Sequence, residues 1–197
     1  YFSEMRHHSS QADWPRRDRF ILSKGHAAPA LYAALHECGY ITQQNLDRLR
    51  SINSILQGHP DSRRCPGVEA STGSLGMGLS IAHGMALALR DPEARARPGD
   101  REPRVYVVLG DGECQEGQVW EAAMSAAHYH SDNLCAFVDV NGLQIDGPVD
   151  QIMGVQPLAA KFEAFGWWTQ EVDGHDLPGL LAALDRARAQ AGKPSII

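Results

Sequence analysis

Apolar residues along this chain switch between two spacings, and the switches mark its elements. Runs dominated by apolar residues predict buried strands over 104–109 and 134–140, the second rich in β-branched and aromatic residues. Shorter runs predict an extended segment over 20–23, a strand over 167–172 and a last strand at 196–197. Between and before them, helical patterning predicts helices over 1–7, 29–38, 43–51, 75–89, 116–130, 157–165 and 177–191. The punctuation agrees. Pro29 suits a first helical turn, Thr42 can cap the helix that follows it, and Gly39 and Gly166 stop the runs before them. Asp13-Trp14-Pro15, Asn141-Gly142 and Asp146-Gly147-Pro148 read as turns. The alternation of strand and helix from residue 104 onward predicts an α/β fold, a mostly parallel sheet with helices on both faces.

Two segments depart from ordinary connection and ordinary helix. Residues 57–71 form a polar stretch of 15 residues bearing glycine and proline, longer than most connections and therefore expected to line a site. The helix over 75–89 carries Gly76, Gly78, Ser80, Ala82, Gly84, Ala86 and Ala88. Side chains this small let neighbouring backbones approach, which places that helix in the centre of the molecule. Residues 91–103 are charged and are expected to form a surface loop. There is no internal repeat and no low-complexity segment.

Composition narrows the function classes. At 197 residues the chain can bury one sizeable α/β core. Its net charge of -6 disfavours nonspecific nucleic-acid binding, and no apolar run approaches the roughly 20 residues needed to span a bilayer. Cys38, Cys65, Cys114 and Cys135 show no CxxC spacing, so a reducing cytoplasm is the simpler setting. Cys114 reads as a small buried filler rather than a reactive thiol. The chain opens inside an expected helix and closes at the start of an expected strand. Residues 1–197 are therefore read as a single diphosphate- and metal-binding domain, incomplete at both ends.

The candidate chemistry lies at the ends of the two central strands. Gly110-Asp111-Gly112 follows the first, and Asn141 follows the second, 30 residues after Asp111. In open parallel sheets, ligands sit beyond the carboxyl ends of the strands. A carboxylate, a carboxamide oxygen and a nearby backbone carbonyl are hard oxygen donors of the kind Mg²⁺ takes, with phosphates and water completing its six. Gly110 and Gly112 leave the backbone bare, so their N–H groups can face phosphate oxygens, and the helix from about 116 brings its positive end nearby. Neither a GxGxxG nor a GxxxxGKS pattern is present, so dinucleotide and triphosphate readings have little support. Either motif alone could be a plain strand-end turn; the pair, each directly after an apolar strand, favours a metal that holds a diphosphate.

Five ordered blocks carry a resemblance. They are residues 18–26 (Asp18-Arg19-Phe20-Ile21-Leu22-Ser23-Lys24-Gly25-His26), Gly58-His59-Pro60, residues 67–78, residues 110–123 and residues 139–147. Together they cover nearly the whole chain and resemble the amino-terminal, thiamine diphosphate-binding domain of transketolases. The first block is most similar to split transketolases, whose halves are separate chains. The resemblance implies a metal, Mg²⁺ or Ca²⁺, held by the side chains of Asp111 and Asn141 and the carbonyl of Leu143. It implies a diphosphate touched by Gly112 and Asn141 in the turn that begins at Gly110, with Gly73, Ser74 and Leu75 bordering the cofactor. It implies that His26 lies near the cofactor, that His59 contacts the donor sugar, and that Glu116 and Glu121 join an acidic network reaching a partner chain. The family commonly has proline where this chain has Ser74 and glutamine where it has Met77.

The implied reaction moves a two-carbon ketol unit from a ketose phosphate to an aldose phosphate, with thiamine diphosphate as electron sink and imidazoles moving protons. The family's activating glutamate belongs to a following pyrimidine-binding domain. A carboxy-terminal subunit or domain is therefore the implied partner, in a homodimer or heterotetramer, with neither nucleic acid nor membrane. Other thiamine diphosphate activities compete, namely 1-deoxyxylulose-5-phosphate synthase, phosphoketolase and a 2-oxo acid dehydrogenase subunit, as does a noncatalytic scaffold subunit. The runs 113–117 and 143–147 favour transketolase. Of the nine histidines, His7, His8, His36, His83, His128 and His175 need be no more than surface or packing residues.

Overall fold

In the computed structural model, which describes residues 1–90 and 102–197, five strands form one parallel sheet. The chain enters through an irregular segment and a single 3₁₀ turn at Ser9–Gln11, then forms β1 (Arg19–Leu22). Helices α1 (Ala28–Glu37), α2 (Gln43–Leu46) and α3 (Met77–Ala88) separate β1 from β2 (Val105–Gly110). After β2 come α4 (Gly117–His128) and β3 (Leu134–Asp139). A small antiparallel hairpin follows, β4 (Leu143–Gln144) with β5 (Gly147–Pro148), and leads into α5 (Val149–Met153). The chain then runs through α6 (Leu158–Ala164), β6 (Trp168–Thr169), α7 (Leu177–Arg188) and β7 (Ser195–Ile196). The sheet order is β1-β2-β3-β7-β6, with β2 and β3 paired over six residues.

The expected α/β architecture is therefore present, and the alternation along β2 explains its layers. Val105, Val107 and Leu109 pack with Leu79, Ala82 and Ala86 of α3, Val119, Ala123 and Ala126 of α4 and Phe162 of α6. Tyr106 turns to the other face, with Ala187 and Leu184 of α7, while Val108 packs beside Leu22, Leu31 and Leu35 near α1. A strand covered on both faces has no polar side to show, which is why its sequence is a continuous apolar run. The small-residue helix is central as expected. A Cβ on Gly78 would stand 2.3 Å from the Ser23 hydroxyl oxygen and 2.8 Å from the Ser23 Cα, so α3 crosses the end of β1 in backbone contact.

Four expectations are corrected. Residues 1–7 are not helical; their polar groups are held from afar, with Arg6 N donating to Asp18 Oδ2 and the His7 ring bonded to Tyr40 and to the Tyr1 carbonyl. Thr42 does cap a helix, in a reciprocal capping box with Asn45, but that helix ends at Leu46. Arg50 takes a left-handed φ of 60° and gives its N–H to Leu56, which turns the chain away. The strand expected over 167–172 is regular only at Trp168–Thr169, where it pairs with β7. The turns at 141–148 are joined by a two-pair hairpin, and α5 was not foreseen. The charged loop expected over 91–103 lies, apart from its last two residues, outside the described residues.

Candidate active site

The carboxyl ends of β1, β2 and β3 bring three loops together. Asp111 directly follows β2 and is 3% exposed. Its Oδ1 accepts the N–H of Gly112 and its Oδ2 the N–H of Gly142, both at 2.9 Å. The second bond joins the loop after β2 to the loop carrying Asn141 and Leu143. Asn141 is exposed, and its Oδ1 accepts the Leu143 N–H at 3.0 Å. Leu143 stands opposite Pro148, which has no N–H, while the neighbouring Gly142 carbonyl accepts from Val149. Leu143 is thus at a non-hydrogen-bonded ladder position, and its carbonyl points out of the hairpin on the side of its N–H. That is the side occupied by the Asn141 carboxamide oxygen. Asp111 and Gly142 line a cavity of about 240 Å³ with Val140, Val149 and Asp150.

This donor set fits a hard divalent cation. It holds one carboxylate with lone pairs to spare, one carboxamide oxygen and one carbonyl that points out of the hairpin. Among the described residues no group of three His, Cys, Asp or Glu side chains is placed to hold a metal ion. A cation here would draw much of its negative charge from phosphate rather than from protein. The glycines act differently from the expectation. The Gly110 N–H donates to Glu113 Oε2 at 3.1 Å and the Gly112 N–H to Asp111, so both are used inside the turn. The value of Gly110 lies in the space over it. A 3₁₀ turn at Gly112–Gln115 also intervenes before α4, which starts at Gly117.

The remaining candidates gather around Gly73. A Cβ on Gly25 would meet Thr72 Oγ1 and Gly73 N at 2.9 Å, so the turn bearing His26 lies against the 72–73 backbone. A Cβ on Gly73 would meet the His59 ring at 3.1 Å, and Gly73 takes a φ of 144°. His26, His59, Ser74 and Leu75 are all exposed around this point. The 57–71 stretch therefore does deliver a histidine to the cluster. Glu116 is exposed beside Gly76, with Glu121 exposed further along α4.

Two arrangements were missed in the sequence. Glu113, 3% exposed, accepts from the Ser23 hydroxyl and Gly76 N–H through Oε1 and from Gly110 through Oε2. One carboxylate thus ties the tips of β1 and β2 to the start of α3. Lys24, 7% exposed, places Nζ 2.7 Å from Asp139 Oδ2. A charged residue in each block was the only signal, and nothing in the spacing told buried from solvated.

Compared with known proteins, the whole chain, residues 1–197, matches the family model "Transketolase, thiamine diphosphate binding domain". The chain belongs to the transketolase family. It is 45% identical to the 6-deoxy-6-sulfo-D-fructose transketolase subunit SqwG of Clostridium sp. (strain MSTE9), spanning all of this chain and 69% of that one. It is 37% identical to an apulose-4-phosphate transketolase subunit of Phocaeicola vulgatus, over all of this chain and 67% of that protein. Transketolase from Leishmania mexicana superposes with a TM-score of 0.93 at 37% identity, over 99% of this chain and 30% of that one. The chain thus spans about two thirds of these two relatives and under a third of the full-length enzyme.

Within this transketolase domain the cysteines are packing residues. All four are free. Burial pushes the Cys114 thiol up to about 12, with the Glu113 and Asp111 carboxylates adding to the effect; burial likewise raises Cys135 to about 12 and Cys65 to about 11. Thiolate is the reactive form. Iodoacetamide at pH 8 is expected to spare Cys65, Cys114 and Cys135 in the folded protein and to label them in denaturant, as read by mass spectrometry. Rapid native labelling at Cys114 would contradict the packing described. His83 is also a satisfied core residue, bonded to Ser125 and Ser131. No described helix is long and apolar enough to cross a membrane.

Proposed function

We propose that this chain supplies the diphosphate- and metal-holding part of a thiamine diphosphate-dependent transketolase. The reaction moves a two-carbon ketol unit from a ketose phosphate to an aldose phosphate. The observation that carries this reading is the buried Asp111, which lines a cavity and whose carboxylate is bonded to Gly142 in the loop of Asn141 and Leu143. Asp111, Asn141 and the Leu143 carbonyl would hold Mg²⁺ or Ca²⁺, and Gly112 and Asn141 would border the diphosphate. Gly73, Ser74 and Leu75 would flank the cofactor. When bound, thiamine diphosphate supplies the electron sink for carbon–carbon cleavage.

The protein's own part is orientation and proton movement. His26 and His59 flank Gly73, and imidazoles suit proton transfer near neutral pH. His59 would act on the donor hydroxyl and His26 beside the cofactor. Glu116 and Glu121 would meet a partner. The chain spans only part of its relatives' length, which supports a carboxy-terminal subunit or domain that brings the activating glutamate, in a homodimer or heterotetramer. Free cysteines fit a reducing cytoplasm.

The test is reconstitution with the carboxy-terminal partner. The expected result is ketol transfer between sugar phosphates that requires both thiamine diphosphate and Mg²⁺, without decarboxylation of pyruvate. Pyruvate decarboxylation would reassign the chain within thiamine enzymes. An assembled complex with no turnover would make it a scaffold.

A further inference from the structure

A hairpin of two residue pairs is too small to hold its own shape in water, and β4 with β5 is such a hairpin. It nevertheless carries Leu143, whose carbonyl belongs to the same peptide unit as the Gln144 N–H. Gln144 stands opposite Gly147, so that N–H faces across the hairpin and the Leu143 carbonyl faces away from it. Rotation of this one peptide would take the carbonyl off the side where the Asn141 oxygen lies.

The anchor comes from outside the hairpin. Gln115 Nε2 donates to Gln144 Oε1 at 2.6 Å and to the Met153 carbonyl at 2.9 Å. Both donors of one carboxamide are thus used, on the two ends of the segment 144–153. Gln115 itself stands on a stiff turn. The Cys114 N–H donates to the Asp111 carbonyl, the Cys114 carbonyl accepts from the Trp120 indole, and the Glu116 N–H donates to Glu113. The Gln144 stem lies over Gly112, where a Cβ would stand 3.1 Å from the Gln144 Cβ. A bare Gly112 therefore makes the slot in which this side chain crosses to Gln115.

We infer that Gln115 is a positioning residue for the cation, acting through Gln144 on the peptide that bears the Leu143 carbonyl. This rests on the reading above that the strand tips hold a metal-bound diphosphate. Asp111 secures the loop at Gly142, and Gln115 secures it at Gln144, so the carbonyl between them is held from both sides.

The experiment compares Gln115→Met, which keeps the length and loses both donors, with Gln144→Met in the full-length protein assembled with its partner. Calorimetric titration with Mg²⁺ at saturating thiamine diphosphate is expected to show cation affinity about 10-fold weaker in each, the low end for groups that orient metal ligands. The double variant is expected to be little weaker than Gln115→Met, because the two changes break one shared bond. Gln115→Lys can still donate to both oxygens and is expected to recover most of the affinity. Turnover should need more Mg²⁺ in both methionine variants, with the rate recovering at saturating Mg²⁺. Without Mg²⁺ or cofactor, backbone amides of 143–149 should exchange hydrogen faster in both, while thermal unfolding stays in place. Faster exchange with undiminished Mg²⁺ affinity would make the bridge a structural tie only and overturn the inference, as would unchanged exchange in Gln115→Met. Should Gln115→Met fail to fold, Gln144→Met and Gln115→Lys decide. Absence of Mg²⁺-dependent binding in the unmutated protein is a different failure, which removes the cofactor reading itself and this inference with it.

Discussion

Asp111→Ala is expected to abolish metal-dependent binding of thiamine diphosphate. The carboxylate is the one charged donor common to the cavity and to both loops, bonded to Gly112 on its own side and Gly142 on the other. Its removal deletes a cation ligand and frees the loop that presents Asn141 and Leu143. Loss of an outer-shell partner at a metal site lowers affinity about 10- to 100-fold, so loss of a ligand should exceed roughly 100-fold. Calorimetry on the assembled protein with Mg²⁺ reads the effect. Asp111→Asn separates the two contributions, since a carboxamide still accepts one backbone N–H but carries no charge. If that variant also loses binding while its thermal unfolding stays close to the unmutated protein, charge at the cation is the cause. Undiminished binding in both would move the centre elsewhere.

The legible parts of the molecule are those where one local pattern decides. β2 and β3 were readable because a strand covered on both faces must be apolar throughout, and Thr42 because a cap is a four-residue affair. The Asp111 and Asn141 loops were readable because each follows such a strand directly. What escaped is long-range and polar. Ser23 meets Glu113 across 90 positions and Lys24 meets Asp139 across 115, and no spacing rule connects residues so far apart. The same limit explains residues 1–7, whose helical composition is overridden by Asp18 and Tyr40. It also explains Gly110 and Gly112. Their N–H groups looked free for phosphate only while the partners Glu113 and Asp111 were unplaced.

The second large effect is expected at Glu113, where one side chain satisfies donors from three segments. Ser23 is fully buried, and the backbones of Gly76 and Gly110 are buried with it. Glu113→Ala leaves the hydroxyl and two N–H groups without acceptors in a site closed to solvent. Each unsatisfied buried donor costs about 1–3 kcal/mol, so the variant should lose roughly 3–9 kcal/mol against a typical total of about 5–15 kcal/mol. Denaturant unfolding of the full-length protein would register this as a large drop in midpoint, or the variant would fail to accumulate as soluble protein. Glu113→Gln is the milder companion. Its carbonyl oxygen can still accept from Ser23 and Gly76, but its amide must face the Gly110 N–H, donor against donor. It should therefore fold with a smaller loss and still weaken cofactor binding, because Gly110 borders Asp111 while Ser23 and Gly76 anchor the turns of His26 and Leu75. A Glu113→Ala protein within about 1 kcal/mol of the original would show that water replaces the carboxylate at this junction.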